Sequence, residues 1–365
     1  MASDVTLTGL PAPDGAWPTS TADDAGLDPA AVAAAVALAA DRNSTALVIA
    51  HVGAGEAGLV AEHYWHCEGG FGDAPMLGPT FLDDGRSIED VASAQKSVVS
   101  VLTGIALGKG LLTLDESVAK YVGGGWSRAG SAAEDVITVR HLLTMTSGLD
   151  NFSKVQAAPG SHWEYNLGSG WHTMKRVLSG VAGMGLNDLL RTWLGEPLGM
   201  TESAFVDRRT GVDRPTGGAK PEEQPGVMYP NGQAIEGFAT SARDLLRFGL
   251  AVLAGGRAGD VDLGVPADYL RASLAPSTLL NPGYGFLWWL NGQAFSLQPS
   301  GARSEGPLLP AAPADTVAAL GALGRAVYVI PSRSLVIVRM GGSPGENVTT
   351  SSRFGEELFE RLRLR

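Results

Sequence analysis

The sequence predicts an α+β fold: an antiparallel sheet flanked by helices, formed from both ends of the chain, with a mostly helical domain inserted between them. Three observations lead there. β-rich segments come in pairs near each end, ALVIAHVG (46–53) with LVAEHYW (59–65), and the run at 324–330, ending in AVYVI, with LVIVRMG (335–341). Helical patterns flank these pairs, at 29–40 and 355–364. Between them, short helical patterns alternate with Gly- and Pro-rich stretches. The expected division is one α/β domain from residues 1–115 and 235–365, and an insertion over 116–234, with a cleft between the two.

Each element has a local cause. Asp28-Pro29 before AAVAAAVALAA supplies an N-cap and a first-turn proline for a helix to Ala40. GAGEAG between the first two β-rich runs supplies a hairpin turn. Residues 68–88 are rich in Gly, Pro and Asp and read as a long loop. SAQKSVVSVLTGIAL (93–107) is the strongest helix pattern and ends at Gly108-Lys109-Gly110. Helices are also expected over 171–180, 186–194 and 241–254, with TGGAKPEEQPG (216–226) as a loop. Residues 293–316 form a second long loop, of the length that is more often functional or mobile than idle.

Composition narrows the function. The 365 residues fit about two domains of ordinary size, and 44% apolar content excludes disorder. A net charge of −11 and a pI near 5.0, without a basic cluster, exclude a nucleic-acid-binding surface. One cysteine, Cys67, excludes an intrachain disulfide and a cysteine-only metal cluster. The first 20 residues carry no secretory pattern, and no run nears the roughly 18 apolar residues of a membrane span, so a soluble, cytoplasmic protein is expected. The chain holds 49 Gly and 49 Ala but only 6 Lys, so a lysine inside an apolar helix is informative.

Such a lysine exists. Ser93 and Lys96 lie three apart, on one face of the helix that opens near residue 92. A serine in the first turn sits where free N–H groups favour developing negative charge. The lysine is followed by VVSVLTGIAL, and desolvation there lowers its pKa towards proton-accepting range. On spacing alone, the alternative is a capping serine and a snorkelling surface lysine.

Five segments, in order, decide between these. SAQKSVVSVLTGIALGKGLLTLDESVAKYV resembles the S-x-x-K helix of the penicillin-recognising serine hydrolases, a superfamily that includes class C β-lactamases, carboxypeptidases, carboxylesterases and the 6-aminohexanoate-dimer hydrolase. VITVRHLLTMTSGL (136–149), FATSARDLLRFGLAVLAGG (238–256), GYGFLWW (283–289) and the stretch from Gly324-Arg325 through AVYVIPSRSLVIVRMGG are similar to its later segments, the fourth as a strand returning to the sheet. The resemblance implies a β-lactamase/transpeptidase-like fold, with Ser93 as nucleophile and Lys96 as general base. PGSHWEYNLGSGW (159–171) is similar to the family's stretch around Y-x-N. It makes Tyr165 the proton relay and general acid, and a lysine ammonium nearby would pull its phenol towards phenolate. Here the asparagine is adjacent, Asn166, with Leu167 two after the tyrosine.

The chain has no K-T-G; the corresponding place is ALGALG (319–324). The N–H groups of Ser93 and Ala322 are the expected oxyanion donors, and Asn166, Trp171 and Gly321 the expected substrate contacts. Without a cation at that place, hydrolysis of small esters by a covalent acyl-enzyme is expected. Alternatives are a linear-amide hydrolase of the 6-aminohexanoate-dimer type, a β-lactamase or D-aminopeptidase, and a non-catalytic relative. No metal, organic cofactor, nucleic acid or membrane partner is expected. His63, His66 and Cys67 do not form a ligand set, since the two histidines would face opposite sides of a strand. His141 is read as a structural hydrogen-bonding residue, Asp150 as a turn residue, and Trp163, Trp171, Trp288 and Trp289 as core or acyl-pocket residues.

Overall fold

The computed structural model describes residues 5–13, 15–67, 69, 78–207, 235–345 and 352–364. The expected loop at 216–226 and much of that at 68–88 lie outside the described residues. The chain opens with α1 (Pro29–Ala40), capped by the Asp28 side chain, and the hairpin of β1 (Ser44–Gly53) and β2 (Glu56–Tyr64). β3 (Thr80–Phe81) and β4 (Ser87–Asp90) lead to a 3₁₀ turn at Ala92–Ala94 and to α2 (Gln95–Gly108). Short helices follow: α3 (Ala119–Val122), α4 (Ser131–Glu134) and α5 (Val139–Leu143). Next come α6 (Ser169–Ala182), α7 (Leu186–Leu190), a π turn at Arg191–Gly195 and α8 (Glu196–Leu198).

β5 (Ala204–Asp207) and β6 (Glu236–Ser241) return the chain to α9 (Ala242–Leu253). β7 (Arg257–Ala258), β8 (Val261–Asp262) and α10 (Ala267–Ser273) precede β9 (Trp289–Leu290). The chain then forms β10 (Phe295–Leu297), β11 (Arg303–Glu305) and β12 (Val317–Leu320). It closes with β13 (Ala326–Ile330), β14 (Leu335–Gly341) and α11 (Ser352–Leu362).

The main sheet is antiparallel and six-stranded, in the order β2-β1-β14-β13-β12-β9. The ends of the chain meet inside it, with Val48 opposite Val338 and Ile49 opposite Ile337. Almost every residue of β1, β13 and β14 is buried, because helices cover both faces. α1 packs with α11, while α9 lies against β1, β13 and β14. The α9 contact depends on Gly249, where a Cβ would come within 2.6 Å of a Val336 methyl. A smaller sheet, β3-β4-β6-β5, joins the inserted helical region to the rest. The fold is thus α+β with antiparallel sheets, flanking helices and an inserted helical region.

Two expectations need correction. GYGFLWW is mostly not a strand: only Trp289 and Leu290 pair with β12, and Leu287 turns the chain at a φ of 62°. The 293–316 segment, expected to be a long loop throughout, contains strands. It carries the β10–β11 hairpin, and the buried Asn291 amide ties down its end by donating to the Leu309 and Pro313 carbonyls.

Candidate active site

Ser93 lies in the 3₁₀ turn just before α2, not within the α-helix proper. Ala92 precedes it at a φ of 50°, a left-handed conformation that costs a residue with a Cβ about 1 kcal/mol or more. Two contacts hold that shape. The Ala92 N–H donates to Asp90 Oδ1 at 2.8 Å, and the Gln95 amide donates to the Ala92 carbonyl at 3.0 Å. The turn leaves Ser93 half-buried, while Lys96, one turn further on, is 3% exposed. Lys96 Nζ donates to Ser93 Oγ at 2.9 Å.

Aromatic rings flank the lysine as well. Its Nζ lies 4.5 Å from the ring centroids of both Tyr165 and Trp171. Such ring faces attract an ammonium, whereas burial disfavours one. Tyr165 is buried in a cluster with Trp163, Tyr284 and Trp289, whose centroids lie 6.3, 6.1 and 5.5 Å from its own. Burial pushes its phenol up to about 12, against hydrogen bonds from Ser93 and the Trp289 indole that act to lower it. The expectation of a phenol drawn towards phenolate is therefore corrected. Desolvation outweighs the neighbouring donors, and Tyr165 holds its proton at neutral pH.

The end of β12 closes the other side. A Cβ on Gly321 would lie 2.1 Å from the Val91 carbonyl oxygen, so only glycine lets the strand approach the nucleophile's turn this closely. The Gly321 N–H is spent on the Arg325 carbonyl at 2.8 Å, and Ala322 follows, exposed. Trp171 is brought to the site by its contact with Lys96. Asn166 is put to another use: its amide nitrogen donates to the Leu149 and Asp150 carbonyls at 3.0 and 2.8 Å, and the residue is 3% exposed. It ties a loop beside Tyr165 instead of facing an open cleft.

Sequence reasoning missed a buried ion network behind this turn. Glu89 accepts from the Arg325 guanidinium at 2.9 and 3.1 Å, from Ser87 Oγ at 2.8 Å, from the Gly341 N–H at 3.1 Å and from Thr45 Oγ1. Arg339, also fully buried, donates to the Leu323 and Gly342 carbonyls and to Ser44 Oγ. Both arginines thus brace the Gly321–Gly324 turn. A signal was present: Arg325 opens and Arg339 interrupts an otherwise apolar run, which is costly unless the charge is paired.

Other singled-out residues have structural tasks. His141 completes a capping box with Thr138 at the start of α5, and burial lowers its pKa. Asp150 Oδ1 accepts from the Phe152 and Lys154 N–H groups in a turn. His66 lies past the end of β2 and stacks on Phe81, and His63 stacks on Trp65. Trp288 stacks on Phe248 in the core. Among the described residues, no three His, Cys, Asp or Glu side chains are grouped to hold a metal, and no helix is long and apolar enough to cross a membrane.

The fold, together with the family match that follows, defines an enzyme of the serine-hydrolase type. The chain belongs to the beta-lactamase family, whose model matches residues 84–355. Among solved structures it is similar to a penicillin-binding protein homologue from Caulobacter crescentus (18% identity, TM-score 0.61, covering 92% of this chain and 98% of that one). It is also similar to EstCE1, a hydrolase with promiscuous acyltransferase activity (17%, TM-score 0.58, covering 91% and 97%). A Bacillus anthracis protein named as a 6-aminohexanoate-dimer hydrolase gives 15% and a TM-score of 0.63, covering 99% and 91%. At these identities the likenesses establish the fold. An uncharacterised protein of Alkalihalophilus pseudofirmus is 25% identical over 341 residues, 83% of this chain and 88% of its own length.

Proposed function

We propose that the protein hydrolyses small, uncharged esters through a covalent acyl-enzyme on Ser93. The observation that carries this is the 2.9 Å contact between half-buried Ser93 Oγ and buried Lys96 Nζ. With its amine neutral, Lys96 takes the hydroxyl proton as Oγ attacks the ester carbonyl. The N–H groups of Ser93 and Ala322 receive the oxyanion. Tyr165, protonated until pH nears 12, donates to the departing alkoxide and is reprotonated from the Lys96 ammonium. A water, deprotonated by the same pair, then attacks the acyl-enzyme and releases the acid.

Two features support an uncharged substrate. The cation nearest the place of K-T-G, Arg325, is fully buried and paired with Glu89, so it is not offered to a substrate carboxylate. The segment tied down by Asn166 and the residues beside it display Phe152, Val155 and Leu167, which are 52%, 54% and 45% exposed. Exposed apolar surface near Tyr165 in the chain suits an alkyl or aryl ester. Linear amides are the second substrate class to test, because Tyr165-Asn166 resembles the arrangement in aminohexanoate-dimer-hydrolase-like proteins.

The test is labelling with an alkyl fluorophosphonate, with Ser93→Ala as control, followed by rates on p-nitrophenyl esters, short linear amides and a chromogenic cephalosporin. The expected result is a Ser93-dependent adduct and fastest turnover of the esters. An adduct that persists in Ser93→Ala, or cephalosporin turnover above that of esters, overturns the proposal.

A further inference from the structure

Away from Ser93, a cavity of about 250 Å³ opens between α9, α10 and the β13-β12-β9 side of the main sheet. Val252, Leu270, Leu274, Leu290, Val317 and Val329 give it an apolar floor. Its size is just under the roughly 300–1,000 Å³ usual for small-molecule sites. Five polar side chains line it, and two of them, Asn291 and Gln293, donate to backbone carbonyls. Arg271 is exposed at the lining and has no ion-pair partner among the described residues. Thr316 is 1% exposed, and its Oγ1 has no hydrogen-bond partner. The Asp315 carboxylate is already committed to the N–H and Oγ of Ser332, at 2.6 and 2.7 Å.

We infer that this cavity is a second ligand site, which takes an amphipathic monocarboxylate: an alkyl tail on the floor and a carboxylate on Arg271. An uncharged apolar ligand would leave the guanidinium unused, and a cationic one would meet it with like charge. The cavity also adjoins the catalytic wall through one strand. Leu290 lines it, while the preceding Trp289 reaches the opposite side and packs against Tyr165. The inference stands on the cavity alone and does not depend on the ester reading.

Calorimetric titration of the full chain with octanoate tests it, with octanamide as the uncharged isostere. One saturable site is expected, and octanamide should bind about tenfold more weakly, as for loss of a charge-assisted hydrogen bond. Arg271→Gln, a surface change that leaves the fold intact, should bring the two ligands to equal affinity. Leu274→Trp, which fills the cavity, should abolish binding of both. No saturable octanoate binding, or octanoate affinity unchanged in Arg271→Gln, overturns the inference.

Discussion

Lys96 and Arg325 are both buried cations beside the Ala92–Ala94 turn, and their surroundings could hardly differ more. Arg325 meets the Glu89 carboxylate, which is itself 1% exposed, in a network that also serves backbone groups. Lys96 meets a hydroxyl and two aromatic faces. A guanidinium held by a carboxylate stays charged and fixes geometry, whereas an amine against rings and a hydroxyl can exchange its proton. Burial alone therefore does not distinguish the two side chains; the chemistry of their neighbours does. Changes on the lysine side should therefore register in rate, and changes on the arginine side in stability.

The largest effect is expected from Lys96→Met, which replaces the amine with a side chain of similar length. Ester turnover should fall by roughly 10³-fold or more, with little change in melting temperature. Parent-like turnover would remove Lys96 from the mechanism. On the other side, Glu89→Gln leaves two buried guanidinium groups without a counter-charge and should cost about 3–5 kcal/mol of stability. Denaturant unfolding measures this, and a loss below about 1 kcal/mol would show that the carbonyl acceptors suffice on their own.

Tyr165→Phe should lower kcat by about 10²-fold, as for removal of one general acid. Because burial raises the phenol to about 12, the acid form persists across the working range. An acid with a raised pKa is lost only as pH climbs through that raised value. The parent should thus show no tyrosine-dependent fall in kcat well below pH 12, and a fall that disappears in Tyr165→Phe near pH 9 would contradict this. The smallest effect is expected from Ala92→Gly. Relief of the left-handed conformation should raise stability by about 1 kcal/mol or less, read as a small rise in melting temperature. A destabilised variant would mean that the Ala92 methyl packs more usefully than its backbone strains.

Much of the candidate site's geometry was legible because it is local. Ser93 and Lys96 are three residues apart, and helical geometry alone brings them to one face. The capping role of His141 and the turn at Asp150 are likewise matters of a few neighbouring residues. The errors share one cause. The state of Tyr165 is set by Trp163, Tyr284 and Trp289, and the last two lie more than a hundred positions along the chain. The Glu89–Arg325 pair spans 236 positions, and no periodicity announces such a partner. Asn166 was expected to meet a substrate until the fold placed two backbone carbonyls against its amide.

The sequence by itself determined that strands near both ends form one antiparallel sheet, that helices cover it, and that a serine and a lysine share a helix face. Those outcomes follow from periodicity, caps and turns, which act over a few residues. Tertiary structure decided which charges are neutralised, which phenol is desolvated, how near β12 comes to Ser93, and where the apolar cavity beside Arg271 opens. These depend on burial and on distances between segments remote in the chain, so they exist only once the sheet has closed.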